Sequence, residues 1–283
     1  MAITLIQGNP IRTGAGSGSS TFALGYLSAV AAGNTLICTV SGDATGGATF
    51  TGVTDSLGQT WTKVDEIADA NERVAIYRKE NTAGGTPTVT ITITIGTSSG
   101  GVQLTLFEIH SDVSTPVLNV SNKATAGTGV SDPGNLITTY ANAFVIAATE
   151  NAGGESTGGS SYTWLDSTNG SNFASCQYRI VSATATYSTA FGTNTASGWA
   201  AISASFGEAS VPTATQLYWE IRNDDGSEVT AIAPGQGVVQ GAVFRPRILV
   251  DTNGGAIGTK RFQIEYQGPN DPGWIPIPVK NNN

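Results

Sequence analysis

Charge is scarce in this chain, and so are the residues on which most enzymatic chemistry depends. Only 12% of the 283 residues are charged, and there is a single histidine, His110. It is followed by Ser111 and Asp112, but neighbouring residues of a strand point to opposite faces, so contiguity does not make "HSD" a catalytic triad. Histidine and cysteine nowhere stand at the spacing of a metal site. We therefore predict that the protein is not an enzyme and holds neither a cofactor nor a metal.

Basic clusters, long apolar runs and an export signal are also missing. The formal net charge is −8, and no group of lysines and arginines could neutralise a row of phosphates. Direct binding to nucleic acid or to an anionic membrane is therefore not expected. No apolar run approaches the about 18 residues of a membrane span. The opening "MAITLIQGNPIRTG" lacks the basic and apolar regions of a signal peptide, so we expect synthesis in a cytoplasm without secretion.

The two cysteines lie in strand-like runs, Cys38 in "TLICTVSG" and Cys176 in "SCQYRI". Apolar neighbours surround both of them. Buried free thiols, which pack as small hydrophobic side chains, are one interpretation, and a disulfide between two sheets is the other. Their positions in the sequence leave both open.

Glycine is abundant, with 36 residues, and so are alternating runs of threonine with valine or isoleucine. The clearest run is "TVTITITI" (88–95), whose aliphatic side chains all face one way, which predicts a strand with one buried face. In "VQLTLFEIH" (102–110) the alternation changes phase at Phe107, which predicts a bulge. About a dozen such strands with Gly-rich turns between them predict an all-β protein of jelly-roll or immunoglobulin-like sandwiches.

The strand-like alternation of apolar and polar residues is interrupted once along the chain, and this interruption predicts two domains. Residues 1–20 are a Gly/Ser-rich N-terminal arm, and 21–208 form a larger β-sandwich of jelly-roll or immunoglobulin-like type. Residues 209–215 lose the alternation and are interpreted as a linker, after which 216–283 form a smaller immunoglobulin-like sandwich. Within the smaller domain, Pro246 must lie on an edge strand because proline has no N–H to donate to a neighbour.

An acidic cluster in "RNDDGSE" brings Asp224, Asp225 and Glu228 around Gly226. The spacing does not fit a calcium-binding EF-hand loop, and both flanks alternate as strands rather than helices. Asn and Asp tolerate the left-handed conformation and glycine favours it, so the segment is predicted to be a hairpin turn. A cation held by these three carboxylates is the alternative.

Tryptophan offers the other candidate contacts. Trp199 and Trp219 lie inside strand patterns and are predicted to be core residues. Trp61 follows the turn "DSLGQ", and Trp274 lies in "GPNDPGW", so these two are candidate contacts for a glycan or a protein partner.

Several stretches resemble known modules. The segments "FTGVTDSLGQTWTKVDE", "VAIYRKENTAGGTPTVTITI" and "GWAAISASFGE" resemble a recurring β-sandwich module of tailed-phage virion proteins and prophage-like reading frames, with "VTDSLGQTW" as the most recognisable part. The segments "QLYWEIRNDDGSEVTAIA", "GAVFRPRILVDTNGG" and "KRFQIEYQ" resemble a small β-domain of phage and bacterial surface proteins. These resemblances imply assembly and surface roles and carry no catalytic residues.

The expected function is therefore that of a phage virion structural protein. We expect a capsid decoration or auxiliary protein with one domain on the shell and one projecting, a homo-oligomer whose partners are major capsid or tail proteins. The alternative is a tail fibre, collar or tail-tip protein that binds a host surface glycan. A glycan-cleaving enzyme with paired carboxylates is a third interpretation, although no Asp or Glu stands in an evident apolar pocket.

Overall fold

The structure is a computed structural model and describes the backbone of residues 3–13, 18–43, 49–95, 102–151, 157–166, 174–192, 198–208, 213–223, 231–232, 244–253, 265–266 and 275–276. The chain divides into two compact units, Met1–Ala209 and Ser210–Asn283. Within the described ranges every strand pair is antiparallel and there is no helix, so the predicted all-β class is confirmed. None of those ranges contains a helix that could cross a membrane.

The strands of unit 1 range from two to ten residues in length. They are β1 Thr4–Thr13, β2 Gly18–Gly25, β3 Thr35–Asp43, β4 Thr49–Asp55, β5 Thr62–Ala68, β6 Glu72–Lys79, β7 Thr88–Ile95, β8 Val102–His110, β9 Val117–Ala126, β10 Leu136–Ile137, β11 Ala143–Asn151, β12 Thr163–Asp166, β13 Ser175–Val181, β14 Thr186–Tyr187 and β15 Trp199–Gly207.

These strands form three main sheets. The central sheet has the order β1-β8-β3-β6-β5, and the outer sheet has the order β12-β13-β11-β15-β9. A three-stranded cover sheet has the order β2-β7-β4, and β10 pairs with β14 in a small fourth sheet. The predicted strand "TVTITITI" is β7, the middle strand of the cover sheet.

The central sheet is buried on both faces. A first core combines its residues, such as Ile37, with residues of the outer sheet, such as Phe144 and Phe206. A second core combines residues from its other face, such as Val40, with residues of the cover sheet, such as Phe22. Unit 1 is therefore layered, with the cover sheet and the outer sheet on opposite faces of the central sheet. The two five-stranded sheets that share the first core make this arrangement sandwich-like.

The bulge predicted in "VQLTLFEIH" is wrong. Strand β8 pairs with β3 in unbroken register from Val102 to Ile109. Its Leu104 and Leu106 lie in the second core, whereas Phe107 and Ile109 lie in the first. A strand that is buried on both faces carries apolar residues at odd and even positions, and this pattern imitates a change of phase.

Among the described strand pairs of unit 1, bulges occur instead in strands at the sheet edges. The pairing registers shift by one residue at Ile6 of β1, Thr51 of β4, Val64 of β5 and Asn119 of β9. All four are edge strands of the described sheets. A bulge twists an exposed edge and disrupts the row of free N–H and C=O groups, which disfavours pairing with a strand of another molecule.

The two cysteines are free thiols that lie in different cores. Cys38 points into the second core and Cys176 into the first, on opposite sides of the central sheet. The disulfide that the sequence left open is therefore not formed. Burial raises the pKa of Cys176 to about 12 and raises that of Cys38 further still. Both thiols are uncharged side chains of the packed interior.

Unit 2 is described by its backbone. Its strands are β16 Thr213–Asn223, β17 Ala231–Ile232, β18 Phe244–Asn253, β19 Glu265–Tyr266 and β20 Ile275–Pro276. Strand β16 lies between β17 and β18, and β19 pairs with β20. Pro246 lies opposite Ile221 on β18, an edge strand of the described sheet, as its missing N–H requires.

Candidate functional site

A cavity on the side of the outer sheet that faces away from the first core brings an arginine and two tyrosines together. Arg179 comes from β13, Tyr162 from the residue before β12, and Tyr187 from β14. The cavity has a volume of about 300 Å³, at the small end of ligand pockets. Its lining is completed by Gly159, Ser160, Thr186, Ser188, Ala190, Phe191 and Gly192.

The arginine lies beside both aromatic rings. The guanidinium carbon of Arg179 is 5.4 Å from the ring centroid of Tyr162 and 5.1 Å from that of Tyr187, within the range of cation–π attraction. The Tyr162 hydroxyl donates to the carbonyl of Ser188 (3.0 Å), and the Tyr187 hydroxyl donates to the carbonyl of Ala183 (2.7 Å). These two hydrogen bonds hold the rings in place, so the position of the guanidinium group is restricted from two sides.

Strand alternation explains why Arg179 reaches this surface. Cys176 and Tyr178 of β13 pack in or against the first core, so Gln177, Arg179 and Val181 project from the opposite face. On that face a third, small core formed by residues such as Val181 and Val145 underlies the two tyrosines. The cavity therefore rests on a packed base.

A buried glutamine fixes the two segments that border the cavity. The Gln177 side chain accepts a hydrogen bond from the N–H of Gly159 (2.6 Å) and donates to the carbonyl of Thr189 (2.9 Å). The backbone segments approach so closely that a Cβ atom on Gly159 would clash with the carbonyl oxygen of Ala190. Glycine is required there for steric reasons, and the cavity wall is preorganised.

The cavity carries positive charge that no described residue neutralises. No carboxylate oxygen within the described ranges lies within 4.0 Å of the Arg179 guanidinium, and its Nε is buried without a hydrogen-bond partner. Burial raises the pKa of Tyr162 to about 12, although the nearby Arg179 acts in the opposite direction. Tyr162 is therefore neutral at ordinary pH, and the arginine is always protonated. The site can attract an anion.

The predicted contact residue Trp61 lies in a different kind of site. Its indole N–H donates to Oδ2 of Asp55 (2.8 Å), and its half-buried ring packs against the second core. The carboxylate of Asp55 also accepts hydrogen bonds from the backbone N–H groups of Leu57 and Gln59 and from the Gln59 side chain. We call this arrangement the Asp55 loop. It explains "VTDSLGQTW" as a turn organised around one carboxylate, and its Gln59 side chain also accepts hydrogen bonds from Thr82 and Ala83.

The other predicted contact residues lie outside the described residues. They are Asp224, Asp225, Glu228 and Trp274, so the hairpin turn, the cation alternative and the Trp274 contact stay predictions. Trp199, predicted to be a core residue, is buried, and this prediction is confirmed. Trp219 lies on β16, where only the backbone is described.

The imidazole ring of His110 makes two hydrogen bonds, neither of them to Ser111. Its Nδ1 lies 2.7 Å from Oδ1 of Asn34, and its Nε2 lies 3.0 Å from Oδ1 of Asp112. The Ser111 hydroxyl points elsewhere and donates to Glu208. The three residues of "HSD" therefore do not form a Ser-His-Asp relay, in agreement with the argument from strand alternation.

The buried carboxylate of Glu108 is a feature that the sequence analysis does not predict. Glu108 has no exposed surface, and its oxygens accept hydrogen bonds from the backbone N–H of Ala31 (2.8 Å) and from the side chains of Asn34 and Gln7 (2.6 Å each). A glutamate inside the apolar run "LTLFEIH" was the available signal. These contacts attach the segment after β2 to the central sheet, which is a structural role.

Among the described residues, no group of three or more His, Cys, Asp or Glu could hold a metal ion. The sequence signal for the Arg179 cavity is weak, since its tyrosines and arginine are spread over 26 positions between residues 162 and 187.

Comparison with known proteins gives no match to a family model, to a curated protein or to a solved structure. The functional argument therefore depends on the residues themselves.

Proposed function

We propose that the chain is a non-enzymatic structural protein of a tailed-phage virion, built from two β-sandwich domains and acting as a capsid decoration or auxiliary protein. The observation that supports this most is the role of "VTDSLGQTW", the segment that carries the resemblance to virion modules. It forms the Asp55 loop, in which the carboxylate accepts four hydrogen bonds from the loop itself and the aromatic residue packs on a core. Gln59 and Ser56 of the same loop also bond to residues 82–88, which ties the loop to the neighbouring segment. A loop with these hydrogen bonds and this core contact stabilises the fold of its domain.

The edge strands support the same proposal. A protein that is present in many copies on one particle is at very high local concentration, where exposed sheet edges would pair with one another. The bulges at Ile6, Thr51, Val64 and Asn119 protect four such edges. Assembly with capsid neighbours would then use loops and sheet faces, and the expected homo-oligomer would form in the same way.

The test is the number and position of copies in purified particles. We expect hundreds of copies per particle by quantitative mass spectrometry, and density for the chain on the head in a particle map. A handful of copies, or density confined to the tail, would overturn the decoration role.

The second candidate function is that of a tail fibre, collar or tail-tip protein that binds a host surface glycan. The Arg179 cavity is the observation that favours it, because an arginine between two tyrosines with exposed hydroxyl side chains at its edge suits a small polar ligand. A glycan array probed with the full chain, together with immunogold labelling of particles, tests this function. Binding to no host glycan and labelling restricted to the head would contradict it.

A further inference from the structure

Two arginines of unit 1 lie over aromatic rings, and only one of them has an acidic partner among the described residues. Arg73 lies 5.9 Å from the ring centroid of Phe50 and forms an ion pair with Glu66. Arg179 lies closer to its two tyrosines, and no described carboxylate pairs with it. The environment of Arg73 shows how this fold neutralises an arginine that packs on an aromatic ring. No residue in the described ranges supplies the equivalent anion to the Arg179 cavity.

We propose that the Arg179 cavity binds the carboxylate of an acidic sugar residue, such as a uronic acid unit of a surface polysaccharide. The N–H donors of the guanidinium group lie in one plane and can form a bidentate pair of hydrogen bonds with the two oxygens of a carboxylate. Tyr162 and Tyr187 restrict the plane of that group before any ligand arrives, which reduces the entropy lost on binding.

The rest of the cavity fits the remainder of a sugar. The side chains of Ser160, Thr186 and Ser188 are exposed at its edge, where their hydroxyls can exchange hydrogen bonds with those of a pyranose ring. The volume of about 300 Å³ suits one ring-sized group rather than a long segment. An extended acidic peptide needs a groove or a free sheet edge to occupy, so it is the less suitable ligand.

This inference rests on the second candidate function for the source of the ligand and specifies its chemistry. It does not depend on where in the particle the chain is located. The chemistry of the cavity and the biological role can therefore be tested separately.

The experiment uses the full chain and two matched probes, methyl glucuronide and methyl glucoside, which differ in the carboxylate. Binding is measured by ligand-observed NMR with titration. We expect the glucuronide to bind and the glucoside to bind much more weakly. Arg179→Met should weaken glucuronide binding by about 10- to 100-fold, the value of a hydrogen bond to a charged group. Arg179→Lys keeps the positive charge but loses the planar guanidinium group that forms bidentate hydrogen bonds, so this variant should also weaken glucuronide binding.

Arg73→Met is the matched control, because it removes an arginine that also lies over an aromatic ring but is paired with Glu66. It should leave glucuronide binding unchanged. Circular dichroism and the melting temperature of each variant identify any loss of fold. If Arg179→Met does not fold, Thr186→Val at the exposed edge of the cavity provides a second test and should weaken binding less than the arginine variants do.

Three results would overturn the inference. They are equal binding of the two sugars, binding that survives Arg179→Met in a folded protein, and stronger Arg179-dependent binding of a short polyglutamate peptide, which would assign the cavity to an acidic peptide. Equal binding of both sugars would leave the host-glycan function standing. Arg179-dependent glucuronide binding by a protein found only on the head would support the inference and remove the tail function.

Discussion

The Asp55 loop and the Arg179 cavity each place a charged side chain beside aromatic rings, and they differ in where the partners of that charge are found. Asp55 receives hydrogen bonds from Leu57, Gln59 and Trp61, all within six residues of the chain. Arg179 faces two tyrosines and no acidic group among the described residues. The two sites therefore use similar residue types for different purposes.

The difference gives a criterion for separating architecture from binding. A charge whose hydrogen bonds are all supplied by its own loop has no hydrogen-bonding capacity left for a ligand, and removing it leaves several donors of the loop without their acceptor. A charge that is positioned by its neighbours but not neutralised by them keeps its attraction for an external anion. This criterion predicts that variants at Asp55 affect stability and variants at Arg179 affect binding.

The largest effect is expected for Asp55→Ala. It removes the charged acceptor of four partly buried hydrogen bonds and should lower the free energy of unfolding by about 3 kcal/mol, since hydrogen bonds to a charged group are the stronger ones. Urea denaturation followed by tryptophan fluorescence measures the loss. Asp112→Ala, at a side chain that is 66% exposed, is the control and should change stability by less than about 0.5 kcal/mol. Equal losses would show that the Asp55 loop is not held by its carboxylate.

A smaller loss is expected for Gln177→Leu. The leucine keeps the volume of the buried side chain but leaves the N–H of Gly159 and the carbonyl of Thr189 without this partner, at a cost of about 2 kcal/mol. Because these groups border the cavity, glucuronide affinity should fall as well. The same denaturation and NMR titrations measure both effects. Wild-type affinity in this variant would show that Gln177 does not organise the cavity.

Arg179→Met should change stability less than Asp55→Ala or Gln177→Leu does, by about 1 kcal/mol or less. It gives up cation–π attraction, each contact being worth about 0.5–1 kcal/mol at an exposed site, and it also removes the unpaired buried Nε, which offsets part of that loss. A loss as large as that of Asp55→Ala would remove the distinction between the two sites, because Arg179 would then be structural.

No reaction of the native thiols is expected. Cys38 and Cys176 are almost fully buried, and their raised pKa values keep them protonated at pH 8, where an exposed cysteine would be partly ionised and reactive. A colorimetric thiol reagent should label neither cysteine in the native protein and both after unfolding in guanidinium. Labelling of one thiol under native conditions would show that its core opens readily.

Much of the strand content could be predicted from the sequence, because the period of two in "TVTITITI" is a local property of a strand with one buried face. The same rule failed in "VQLTLFEIH", where burial on both faces looked like a bulge. The hydrogen bonds around Asp55 are also local, but the sequence pattern around Trp61 does not reveal that its indole N–H donates to that carboxylate. The Arg179 cavity could not be predicted, since its three main residues come from β13 of the outer sheet, from the residue before β12, and from β14 of a different sheet.

The amino-acid sequence alone predicted the all-β class, showed the scarcity of charge, and indicated that contiguity does not make His110, Ser111 and Asp112 a triad, because alternation and composition act over a few neighbouring residues. The tertiary structure was needed to show that the central sheet is covered on both faces, that Cys38 and Cys176 lie on opposite sides of it, and that Tyr162, Arg179 and Tyr187 meet. These features depend on which strands become neighbours. Strand neighbours are selected by the packing of whole sheets, and no short stretch of sequence specifies that packing.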